Sequence, residues 1–289
     1  VKRWLGLGIV ACLASLAIWS ILPMSTPDRP IITVKTRVLG SFLAFFRDNG
    51  LAEYEARYRQ LAKDPADSEG DPIYLVARAS ADFATDPGGV IVQYDHPACP
   101  LSLPAGRQVL FSPEAGFVTE IEAIFPLEPL TWNDMQAAVT AQVAALDTAG
   151  WRRSTGYFTS QKQVKPILDP LDFQDKTGPK WADVGYWEQC DSPWIKAYLQ
   201  VRHYNSSSPG SFTPPAALSE PLNPLAEDRF LLLLRVSVEP ESPLAKDLDE
   251  LAQRRRLAIN GDPMARIGAE VWLDDPDWRP AGWAGQVIR

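Results

Sequence analysis

Cys99 and Cys190 carry the most readily placed chemistry in this chain. Both lie in polar, loop-like stretches (HPACPLS and EQCDSP), unlike cysteines used as small core hydrophobes. In an oxidising compartment such a pair is most simply a disulfide. It would close a loop of about 91 residues, for which chain entropy gives at most about 4.5 kcal/mol. Two free thiols are the competing reading. His96 precedes Cys99 by three residues and could join Cys99 and His203 around a metal or in a Cys–His pair. That spacing matches no compact ligand signature, and a disulfide would consume the thiol. The expectation is therefore no metal, no cofactor and no catalytic residue.

Other chemistry is sparse. The chain has no Gly-rich phosphate loop, no G-x-S-x-G elbow, no H-E-x-x-H and no C-x-x-C. Carboxylates remain: Glu120 and Glu122 two apart on an expected strand, and Asp274, Asp275 and Asp277 near the end. A solvated sheet face explains the first pair more simply than catalysis does. Aromatic residues are the other unusual feature, with ten tryptophans in 289 residues. Trp181, Tyr186, Trp187 and Trp194 cluster around Cys190 and form the candidate binding surface, because a rigid ring with a polar edge suits an interface. A plain core role competes on equal terms. Arg254, Arg255 and Arg256 follow from the helix dipole and make no nucleic-acid site. The net charge of -8 argues against nucleic acid as well.

The elements that would hold these residues begin with Trp4 to Met24, a charge-free run preceded by Lys2 and Arg3. Twenty-one residues make roughly 31 Å of helix, enough to cross a bilayer core. No A-x-A site follows, so a retained anchor is favoured over a cleaved signal. Cys12 reads as a residue within this span. The basic N-terminus favours a body outside the cytoplasm, although Arg29, Lys35 and Arg37 flank the other side. Residues 1–63 hold nine basic and four acidic side chains, so the remainder is strongly acidic.

Beyond the anchor (1–24), residues 25–71 read as a linker and helical stalk, with Asn49-Gly50 dividing the apolar periodicity of 38–63 into two helices. The phenylalanines 42, 45 and 46 either pack on the globule or wedge into a membrane surface. The globular domain, 72–289, is expected to be α+β: a mainly antiparallel sheet packed with two or more helices. Strands are expected at 73–79, 90–94, 109–111, 117–125, 194–204, 229–239 and 268–273. Helices follow at 131–149 and from 242 or 243 to 256, and residues 205–228 form a Pro-rich insertion. The order in the second half resembles a split βαβ (ferredoxin-like) arrangement. Together these features describe a single-pass protein of an inner or plasma membrane, held by residues 4–24. Its periplasmic or extracellular domain would bind a protein partner, as an inhibitor or immunity factor or as an assembly subunit. The alternative is an envelope hydrolase using paired carboxylates on polysaccharide or peptide.

Overall fold

The computed structural model describes residues 30–61, 73–76, 88–154, 164–173, 181–204 and 229–264. The expected anchor, the 205–228 insertion, the 268–273 strand and the three late aspartates lie outside these residues. Among the described residues no helix is long and apolar enough to cross a membrane. Those residues form an α+β unit with a large antiparallel sheet and few helices.

The hairpin at 108–130 shows how local sequence directs this architecture. Strand β5 (Gln108–Glu114) turns into β6 (Phe117–Leu130) through Ala115 and Gly116. Both turn residues have positive φ, 51° and 87°, the backbone twist that lets a two-residue loop join antiparallel strands. Along β6, Ile121 and Ala123 enter the core while Glu120 and Glu122 occupy the opposite face, the expected period of two. Helix α3 (Trp132–Thr148) follows. Thr131 caps it by accepting from the Asp134 N–H at 3.3 Å. Gly150, at φ 87°, ends it: its N–H reaches Asp147 O, and the Trp151 N–H reaches Leu146 O at 3.1 Å. That pair of bonds is a Schellman cap, and it folds Trp151 back over the helix.

Seven strands pair in the order β2-β5-β6-β10-β9-β8-β7, where β2 is Ile73–Val76, β7 Arg152–Ser154, β8 Trp181–Gln189, β9 Ser192–Tyr204 and β10 Arg229–Val238. Every pairing in this sheet is antiparallel. β10 lies between β6 and β9, and its residues Phe230 to Leu234 are buried on both faces, as four consecutive leucines require. The β6–β10–β9 neighbourhood is the one a split βαβ unit needs. The sheet is larger than that unit, however: β8 and β7 extend it on one side. On the other, β5 takes the place beside β6 that a closing fourth strand would occupy. Helix α4 (Pro243–Asn260) starts at Ser242, whose hydroxyl accepts from the Ala245 N–H at 3.0 Å, and ends at Gly261 in the left-handed region.

Four strands, counting the two-residue one at Leu101–Ser102, depart from the sequence expectation. β7 and β8 fall where no element was read. β1 (Ile31–Thr36) falls in the expected linker and pairs parallel with β3 (Gly89–Tyr94), beside β4 (Leu101–Ser102) in a three-stranded sheet. Helices α1 (Phe42–Asp48) and α2 (Ala52–Leu61) do split at Asn49-Gly50. Asn49 pins α1 to β1, accepting from the Lys35 N–H at 2.6 Å and donating to Lys35 O at 2.8 Å. Phe42, Phe45 and Phe46 are buried in the main core, and the Phe45 ring lies 4.5 Å from that of Phe111. Residues 31–54 therefore pack on the globule, the first of the two placements expected for these phenylalanines. Phe111→Ala removes a fully buried ring from this junction and is expected to cost about 3–5 kcal/mol, read as a lower midpoint in urea unfolding.

Candidate functional site

One face of the seven-stranded sheet packs on the core through Ala182, Ile195, Leu199, Val201, Leu232 and Leu234. The other face is polar, and the strand register lines its side chains into rows. One row runs Glu122, Arg235, Tyr198, Tyr186 and Ser154, from β6 through β10, β9 and β8 to β7. The next runs Glu120, Ser237, Lys196, Glu188 and Arg152 along the same strands. On the other side of the first row come Ile124, Leu233, Gln200 and Asp183, and then Leu231, Arg202 and Trp181. Ile124, Leu231 and Leu233 form a small buried cluster there, separate from the main core.

Several of the charges in these rows form ion pairs. Arg235 reaches Glu122 at 2.5 Å and Glu120 at 3.5 Å, so the two expected carboxylates share one guanidinium. Burial pushes Glu120 up, an effect that Arg235 opposes. Partial burial works against ionisation of Glu188, but the Lys196 ammonium at 2.7 Å overcomes it and lowers the Glu188 pKa. The Tyr198 hydroxyl donates to Asp183, which Gln200 also reaches at 3.0 Å. Burial, reinforced by that bond to Asp183, raises the Tyr198 pKa. The Tyr186 and Tyr198 rings stack at 4.4 Å.

Of the four residues of the candidate binding surface, three share this face. Trp181 and Trp194 are 36% and 41% exposed, and Tyr186 lies between them in the stacked pair. Trp187 does not join them. It is fully buried on the core side, and its indole N–H donates to Asp147 at 3.0 Å. A register shift between Asp183 and Gly185 causes the separation, because one extra residue moves Trp187 to the opposite face from Trp181.

A groove of about 450 Å³ opens where this face meets α4. Its lining includes Glu114, Thr119, Glu120, Ser237, Lys246 and Asp249. Burial raises Glu114 to about 7, with Asp249 adding repulsion. Sequence reasoning missed Glu114 and Asp249, since α4 and β5 are far apart in the chain.

Cys99 and Cys190 stand at disulfide-bonding distance, their Cα atoms 6.0 Å apart. Cys99 follows β3 and Cys190 sits in the β8–β9 turn, so the pair joins the two sheets. His96 lies against both sulfurs, its Nδ1 at 3.2 Å from Cys99 Sγ and 3.7 Å from Cys190 Sγ. Its Nε2 faces Asp191 at 3.2 Å. His203 sits elsewhere, buried with its ring 5.5 Å from that of Phe230. The combination of His96 with Cys99 and His203 is therefore replaced by His96 with both cysteines.

No family model matches this chain, and neither does any curated protein or solved structure. Function must be argued from the site itself.

Glu114 provides a stability test. Its folded pKa, about 7, lies above the ordinary 4.5, so the unfolded chain ionises first as pH rises. The folded state then loses stability between those two values and recovers it on acidification. Glu114→Gln is expected to stabilise by up to about 3 kcal/mol above pH 7 and by nearly nothing below about pH 4. Urea unfolding of both proteins at the two pH values reads the difference.

Proposed function

We propose that this chain is a membrane-anchored cell-envelope protein whose exterior, acidic α+β domain binds another protein. Inhibitor or immunity factor and envelope-assembly subunit are the roles that fit. The observation that carries the reading is the polar sheet face: Trp181, Tyr186 and Trp194 lie on a rigid antiparallel platform among oriented ion pairs. Half-exposed indoles held by strands lose little freedom on binding and bury large apolar area, which is how interface anchors work. Two further features support the placement. The uncharged stretch from Trp4 to Met24 is long enough to hold the chain in a bilayer. A bond between Cys99 and Cys190 suits an oxidising compartment.

The groove favours a second reading, an envelope hydrolase acting through carboxylates. Glu114 near neutrality could donate a proton, while the Arg235 guanidinium beside Glu120 opposes the effect of burial on that carboxyl, the kind of asymmetry that acid–base chemistry uses. In this reading the working pair is Glu114 with Glu120, because Glu122 is committed to Arg235 at 2.5 Å.

Capture from a cell-envelope extract separates the two. The native chain is expected to retain one protein stoichiometrically, with the intact mass short by two hydrogen atoms for the Cys99–Cys190 bond. Trp181→Ala with Trp194→Ala is expected to weaken retention by roughly 30-fold or more while the fold persists. Retention unchanged in that variant, or no retained protein, sinks the binding reading. Turnover of an envelope polymer that Glu114→Gln abolishes would put the hydrolase in its place.

A further inference from the structure

We propose that reduction of the Cys99–Cys190 pair creates a binding site for a thiophilic divalent cation of the Zn²⁺ class, with His96, Cys99 and Cys190 as ligands. All three ligand atoms lie within 4.8 Å of one another, so a central ion needs only small side-chain rotations. The imidazole is already oriented for the task. Nδ1 points at both sulfurs, and the backbone N–H groups of Ala98 and Cys99, each at 3.3 Å, also point at it. Nδ1 is therefore the acceptor nitrogen, its lone pair now taken up by these N–H groups and free to turn to a cation in their place, while Nε2 faces Asp191. A carboxylate holding the far nitrogen of a metal-ligating histidine is the arrangement that fixes its tautomer and raises its basicity.

The surroundings suit a bound ion. Cys99 is fully buried, His96 nearly so, and Cys190 is only partly covered, which leaves a path for entry. Two thiolates and one imidazole match Zn²⁺ and leave a fourth, solvent-facing position. The balance is simple. A phosphine reductant supplies two electrons, water supplies two protons and the oxygen that the phosphine takes up, and the S–S bond becomes two thiols. The cation then displaces both thiol protons.

The test uses the full chain, reduced with a water-soluble phosphine and titrated with Co²⁺ as the spectroscopic probe. One equivalent is expected to produce a thiolate-to-cobalt charge-transfer band and the visible bands of a tetrahedral site, both erased by Zn²⁺. The unreduced chain should give neither. His96→Ala is expected to lower Co²⁺ affinity at least tenfold. Asp191→Asn should lower it by about tenfold with the band position kept, because it acts through His96. Tryptophan fluorescence follows the fold throughout, and recovery of a reduced, loosened chain on adding Co²⁺ supports the site as well. Absence of the band after reduction overturns the proposal. So does a band whose affinity is indifferent to His96→Ala, or a reduced chain that unfolds and stays unfolded with cobalt present.

Discussion

Leu231, Leu232, Leu233 and Leu234 are consecutive, and a strand points successive side chains to opposite faces, so β10 has to be covered on both sides. Each leucine left in water would cost about 1.5–3 kcal/mol. That requirement puts β10 in the sheet interior, where β6 and β9 also complete its backbone hydrogen bonds. The rest of the topology follows. With β10 returning beside β6, α3 must carry the chain from β6 to the far edge at β7. The meander β7-β8-β9-β10 then brings it back. Leu232 and Leu234 join the core that contains Met135, Val139 and Val143 of α3. Leu231 and Leu233 break the polar face into a small apolar end and a charged remainder.

The second constraint is the seam between the two sheets, which among the described residues is crossed by isolated backbone bridges, Val90 with Gly106 and Ser41 with Phe117, and by no continuous ladder. Side chains add to these bridges. The Tyr94 hydroxyl donates to Gln189, and the Trp151 indole donates to Cys99 O at 3.2 Å. The Tyr94 and Trp151 rings meet edge to face at 5.4 Å. Burial raises the Tyr94 pKa, in keeping with a neutral phenol acting as donor. Cys99 and Cys190 sit at the centre of this seam, and the Schellman cap of α3 is what aims Trp151 at it.

Sequence patterns were informative where one local rule decided the outcome. The helix expected at 131–149 lies at 132–148, and the strands expected at 117–125 and 229–239 lie in β6 and β10, each set by residues close in the chain. β8 was illegible for a specific reason: the shift at Asp183/Gly185 breaks its period of two, so Trp181 and Trp187 look equivalent in sequence and face opposite ways in space. β1 was missed because its partner, β3, is more than fifty residues away and parallel, and no local signal announces such a pairing. The same non-locality hid the groove and the sulfur–imidazole cluster. Glu114 meets Asp249, and His96 meets Cys190, only after the sheet has formed.

Charge also changes meaning once the rows are resolved. The chain is acidic overall, which suggests attraction of a cationic partner. The sheet face is different: Glu120, Glu122, Asp183 and Glu188 stand among Arg152, Lys196, Arg202 and Arg235, four of each sign. Long-range steering needs net charge, and this face offers almost none. What distinguishes it is the order of the signs along each row, a pattern that is felt only at contact distance. At the groove the balance tips, with Glu114, Glu120 and Asp249 set against Lys246. A cation drawn to the domain by its overall charge would therefore meet an unbalanced field at the α4 end of the sheet, not at the aromatic face.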